Sequence, residues 1–119
     1  MNNKYQELRH IIIEVLKKRN NQKTSSICYS LVTDPVYYNR LKKLGFINEP
    51  RGTLSPQDRL NILCDDLRPI VLRQLKRLES QGLVDKETVK TKIGLRYYTI
   101  NYWKLSYKAY AKELREGGL

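Results

Sequence analysis

Residues 66–100 read DLRPIVLRQLKRLESQGLVDKETVKTKIGLRYYTI, and the order of parts within them decides the fold. Leu67, Val71, Leu75 and Leu78 recur at helical spacing and predict the apolar stripe of a helix from about Leu67 to Gln81. Asp66 is the candidate N-cap, Pro69 stands in the opening turn, and Gly82 supplies the left-handed exit. A strand is predicted from Leu83 to Val89 and a second from Leu95 to Asn101. Val84 then Thr88, and Leu95, Tyr97 and Thr99, give the period-2 alternation. The link Lys90–Gly94 carries a turn glycine. The stretch is therefore a helix, a glycine stop and a basic hairpin.

Upstream, Asn3 to Arg19 reads as a helix. Tyr5, Leu8, Ile12, Val15 and Leu16 form one face, Ile11 and Ile13 widen it, and Lys17-Lys18-Arg19 closes it with cations. Thr24-Ser25-Ser26 is read as the cap of a short helix carrying Ile27, Cys28, Leu31 and Val32. Asp34-Pro35 opens another helix, with Val36, Tyr37, Leu41 and Leu44 facing inward and Gly45 ending it. Phe46-Ile47 is a candidate extended segment, and Asn48 to Thr53, with Pro50 and Gly52, is a loop. Ser55-Pro56 starts a helix to Asp65, with Leu60, Leu63 and Cys64 as its stripe and Asp65-Asp66 as the turn into the next. Pro35–Leu44 matches Pro69–Leu78 at a constant offset; shared first-turn proline chemistry, not duplication, is the reading preferred. Downstream, Tyr102 to Glu116 is predicted as a helix.

The chain has 119 residues, 40% of them hydrophobic in periodic segments, which suits a single domain with a real core. No apolar run approaches the roughly 18 residues of a membrane span, so no membrane partner is expected. Met1-Asn2-Asn3-Lys4 lacks the apolar region of a signal peptide, so a cytoplasmic setting, nucleoid-associated or virus-encoded, is expected. Lys and Arg total 23 against 12 Asp and Glu, a formal charge of +11 that favours an anionic partner, nucleic acid first. Cys28 and Cys64 lie outside any metal-ligand spacing and are read as free thiols.

From Ser55 onward the chain resembles the winged helix-turn-helix DNA-binding family. The residues that carry this are helix Ser55–Asp65, turn Asp66, helix Leu67–Gln81, the phrase Leu75-x-x-Leu78-Glu-x-x-Gly82-Leu-Val84, and a hairpin ending Arg96-Tyr-Tyr-Thr-Ile100. The resemblance implies an α+β, mostly helical fold: residues 1–50 as a helical extension, 55–101 as helix-turn-helix plus wing, and 102–116 as a C-terminal helix. It also implies that the outer face of the second helix reads bases while the wing touches an adjacent groove or the backbone. On that face stand Arg73, Lys76, Arg77 and Ser80, with Arg68 and Pro69 at the leading end and Arg73 the best fork for a guanine edge. The wing offers Lys86, Lys90, Lys92 and Arg96 for phosphates, most of all at its tip, because Asp85 and Glu87 weaken its base. The chain departs from the family pattern at Ile70 and Leu72, where small polar residues are usual; Leu72 suits a thymine methyl, a protein-facing helix or the core. Two alternatives stand for the first helix of the motif: Asn3–Arg19 followed by a long insertion, or Asp34–Leu44.

Trp103, Tyr107, Tyr110 and Leu114 would share one face of the C-terminal helix. They suit either packing on the first helix to close the core or a two-fold homodimer contact between terminal helices, and the dimer is the reading preferred. No catalytic residue, metal ligand or cofactor is expected: His10 stands alone, no nucleophile has a base, and Asp65-Asp66 is explained by turn chemistry. The expected function is double-stranded DNA binding in transcriptional regulation, without enzymatic activity. The competing readings are a winged-helix component of an RNA-containing machine, and a protein-binding module that inhibits a partner.

Overall fold

The computed structural model describes residues 4–109 and 111. It is an α+β structure, mostly helical, with one small antiparallel sheet. The element order is α1 (Lys4–Lys18), β1 (Gln22–Lys23), α2 (Thr24–Thr33), α3 (Pro35–Leu44), α4 (Pro56–Ser80), β2 (Val84–Ile93) and β3 (Arg96–Leu105). The sheet runs β1-β3-β2, with β3 central and antiparallel to both neighbours.

The helices form where the apolar spacing says they should. Leu8, Ile11, Ile12, Val15 and Leu16 bury one side of α1. Tyr5, included in that face, is exposed and meets Phe46 edge-on. Ile27, Cys28, Leu31 and Val32 bury the face of α2. Asp34 caps α3 by accepting from the amides of Val36, at 2.9 Å, and Tyr37. Tyr37 and Leu41 turn inward, whereas Val36 is exposed and Leu44 half-buried. Gly45, at φ 87°, closes α3, with its amide and that of Phe46 returning to the carbonyls of Lys42 and Leu41. Phe46 and Ile47 are buried in irregular backbone rather than in a strand.

Ser55 caps α4, accepting from the Asp58 amide at 3.1 Å. The helix then continues for 25 residues. This corrects the expected break: Asp65-Asp66 is no turn, Asp66 is no N-cap, and the two helices Ser55–Asp65 and Leu67–Gln81 are one. The physical reason is phase. Leu63, Leu67, Val71, Leu75 and Leu78 keep one unbroken buried stripe across the supposed turn. Pro69 costs the helix one hydrogen bond, to the carbonyl of Asp65, but both residues are exposed, so water reaches the freed group. Pro35 opens a helix while Pro69 lies inside one, so the matching segments do not share first-turn proline chemistry. Gly82, at φ 76°, ends the excursion, and the Leu83 amide reaches back to the Leu78 carbonyl at 2.9 Å.

The hairpin is longer than the sequence suggests. β2 and β3 pair in full from Val84↔Leu105 to Ile93↔Arg96, leaving only Gly94-Leu95 at the apex instead of a link from Lys90. Gly94 has φ 63° and Leu95 stays out of positive φ, the pattern of a two-residue type II′ turn, whose twist matches paired strands. The start of the C-terminal helix is corrected as well: Tyr102–Leu105 belong to β3, and helical backbone resumes at 107. Trp103 and Leu105 alternate into the core at period 2, and β1 pairs with Trp103 and Tyr102. Helical spacing from Trp103 onward had masked that alternation. Thr24 does not cap α2; its hydroxyl accepts from the Trp103 indole nitrogen at 3.0 Å. Gln22 is buried and donates its amide to the Val15 and Arg19 carbonyls, satisfying the end of α1 while its backbone joins the sheet.

Candidate nucleic-acid interface

α4 carries the first group of candidate residues. At 100° per residue, Pro69, Arg73, Lys76 and Ser80 fall on one stripe opposite the buried one. All four are exposed. Arg73 is lightly tethered, its Nε donating to the Pro69 carbonyl at 3.4 Å. The Ser80 hydroxyl donates to the Arg77 carbonyl at 2.7 Å, so it serves the helix end. Arg68 lies on one flank, ion-paired with Asp65 at 3.1 Å. Arg77 lies on the other flank, toward α1. There burial, and then the Arg77 charge, push the Arg9 guanidinium below its ordinary value. Arg9 in turn donates to the buried Gln74 carboxamide at 2.8 Å. The candidate contact residues of α4 therefore divide into an outer pair, Arg73 and Lys76, a hydroxyl already engaged, and two flanking arginines. Ile70 and Leu72 are half-buried and packed on the core, which favours the core role among those considered for Leu72.

The hairpin sorts its charges more cleanly than its sequence does. Side chains on a strand alternate faces, and directly paired residues share one. Val84, Leu105 and Trp103 therefore define the face that packs on the helices. Continuing outward on that same face are Lys86, Thr88, Lys90 and Lys92, with Trp103, Asn101, Thr99 and Tyr97 opposite them. Asp85, Glu87 and Arg96 project from the reverse face. The acidic residues that weaken the wing's base in the sequence are thus behind the lysine row, not among it, and Arg96 is separated from the row. Lys90 Nζ sits 4.7 Å and Lys92 Nζ 5.7 Å from the centre of the Tyr97 ring. These cation–π contacts hold an exposed aromatic ring between two cations. Sequence reasoning missed Tyr97 as a partner of the lysines; register, not spacing, brings them together. Thr88 donates to Asn101 at 2.9 Å midway along the same face.

Of the residues expected at a dimer contact, the two that are described do not share a surface. Trp103 is 1% exposed inside the core, while Tyr107 is 87% exposed in the helical backbone beyond β3. Tyr110 and Leu114 lie outside the described residues.

A cleft of about 420 Å³ lies between α1 and the end of α4, where His10 joins Arg9, Glu14 and Leu78. Among the described residues no three His, Cys, Asp or Glu side chains cluster as a metal site. Cys28 and Cys64 are free thiols. Burial, reinforced by Cys64, pushes Cys28 up to about 12, and burial also raises Cys64, so both stay protonated near neutrality. No helix among the described residues is long and apolar enough to cross a membrane. No protein-family model matches the chain, and comparison with curated proteins and with solved structures finds no significant match.

Proposed function

We propose that this protein binds double-stranded DNA without catalysing a reaction, through the hairpin's lysine row and the outer stripe of α4, and acts in transcriptional regulation. One observation carries the reading: Lys86, Lys90 and Lys92 occupy a single face of an arm that extends beyond the core, with the carboxylates of Asp85 and Glu87 on the reverse. A row of one sign on a narrow arm suits a phosphate backbone followed lengthwise. The charge of +11 supplies the general attraction.

The element order and the sheet order β1-β3-β2 are compatible with a winged helix. In that arrangement α4 is the recognition helix and the β2–β3 hairpin is the wing. α4 packs more extensively on α2 than on α1. That favours α2 as the motif's first helix, with α3 and the following loop inserted between the two, in place of either assignment drawn from sequence.

The exposed Tyr97 and Tyr98 favour one second reading, a component of a ribonucleoprotein that stacks unpaired bases.

Fluorescence anisotropy with a random-sequence duplex and an RNA hairpin, each across a salt series, separates the two. DNA binding predicts a steep fall in duplex affinity with salt. Lys92→Ala should lower the slope of log affinity against log salt by ~1, and Arg73→Ala should weaken binding by ~1–3 kcal/mol if it reads a base. If neither substitution changes duplex affinity, the interface is wrongly assigned; preference for the RNA hairpin favours the second reading.

A further inference from the structure

The hairpin is basic along its length but apolar at its apex. Leu95 is 96% exposed and Ile93 63% exposed, both beside the Gly94 turn. The turn requires glycine at its first position and makes no demand for leucine at its second. Leu95 is therefore not explained by the fold. Cations stand immediately around it: Arg96 is paired with Ile93, and Lys92 is one residue below on the opposite face. Tyr97, clasped by Lys90 and Lys92, adds an aromatic ring just behind the apex.

The geometry points to a wedge: Leu95, supported by Ile93, enters between adjacent base pairs of a duplex held along the lysine row, unstacks that step and kinks the DNA. This rests on the DNA-binding reading above and specifies what the wing does to its ligand. Apolar side chains at the end of a cationic arm suit this use. The slot opened between separated base pairs is apolar, and flanking cations hold the phosphates on either side. An anionic bilayer also attracts an apolar, cation-flanked tip. However, the lysines run back from Lys92 to Lys86, six residues or ~20 Å of strand. That length follows a backbone laid along the arm; a bilayer would meet the tip alone.

The test uses the full chain and duplexes carrying 2-aminopurine at pyrimidine–purine steps, which unstack most readily. Emission should rise when the wild-type protein binds. Leu95→Ala should abolish that rise while the salt slope of binding, set by the cations, is retained; Leu95→Met should restore it. Circular dichroism confirms that both variants fold, as expected for a substitution at an exposed turn. Duplex binding with no rise in emission overturns the wedge and leaves DNA binding standing. No duplex binding at low salt overturns both. Release from anionic phosphatidylserine vesicles by Leu95→Ala, with no effect on DNA, overturns the wedge in favour of a membrane contact.

Discussion

Glu49 ties together three parts of the chain that local sequence leaves unconnected. It sits in the loop between α3 and α4, accepts from the Tyr38 hydroxyl on α3, and is held by the Arg59 guanidinium on α4, with Nε at 2.8 Å. Lys42 and Arg59 also approach the Tyr38 ring. The hydrogen bonds from Arg59 and then Tyr38 hold the Glu49 carboxyl down at about 2. A carboxyl depressed on folding stabilises the folded state fully above its unfolded value, here 4.5, and loses that contribution as pH falls toward about 2. The pair is more than a third exposed, so solvent screening limits its worth to about 1 kcal/mol or less. Glu49→Gln should therefore lower the urea midpoint slightly at neutral pH, and the difference from wild type should vanish as pH drops through that window. A difference that persists at the acid end assigns the effect to packing. Nothing in the residues around Glu49 announces this clip. Glu49 lies in the stretch where the loop was most legible, and its partners are 10 and 11 positions away on different helices.

At the level of elements, α4 shows how a correct pattern can yield a wrong boundary. The apolar stripe, the Ser55 cap and the Gly82 exit were all readable, because each is a local signal with a local cause. Asp65-Asp66 followed by Pro69 also reads as a helix start, and three-dimensional packing overrides it. Burial of Leu63, Leu67 and Val71 on one continuous stripe outweighs a single lost backbone bond on the exposed side. Two substitutions distinguish a continuous helix from a broken one. Proline in a helix interior costs up to ~3 kcal/mol relative to alanine. Pro69→Ala should thus raise stability, measured by thermal or urea unfolding, whereas a first-turn proline would give little change. Asp66→Ala should be near neutral, whereas loss of a true N-cap would cost ~1 kcal/mol. A destabilised Asp66→Ala together with an unchanged Pro69→Ala would restore the break. The end of β3, Tyr102–Leu105, reads as helix for a related reason. Trp103, Tyr107 and Ala111 satisfy helical spacing as well as Trp103 and Leu105 satisfy a strand, and only pairing with β1 and β2 decides between them.

For the whole molecule, composition was a sound guide to charge but silent on its arrangement. Lys86, Lys90 and Lys92 stand out in the sequence as hairpin cations, yet which residues share a face depends on register, and a slip of one residue would move the row to the reverse face. The net charge, by contrast, is a property of the chain as a whole, and it sets two opposing responses to salt. Ion pairs engage Arg40 with Glu7 and Glu14, Arg59 with Glu49, and Arg68 with Asp65, but these cannot offset an excess of +11. A compact state concentrates that excess and is destabilised by self-repulsion. Raising salt from ~0.01 M to ~0.1 M shortens the screening length from ~30 Å to ~10 Å, so repulsion across the molecule weakens while the short ion pairs lose less. The melting temperature of the free protein should therefore rise over that interval. If the protein binds DNA as proposed, duplex added at ~0.01 M salt should raise the melting temperature by binding the folded state alone. That increment should disappear as salt releases the complex, even while the free protein becomes more stable. Thermal scans with and without duplex, at both salt levels, give four values. Curves that converge from opposite sides meet the prediction. A free-protein melting temperature that falls with salt would mean that the ion pairs, rather than the net charge, govern stability.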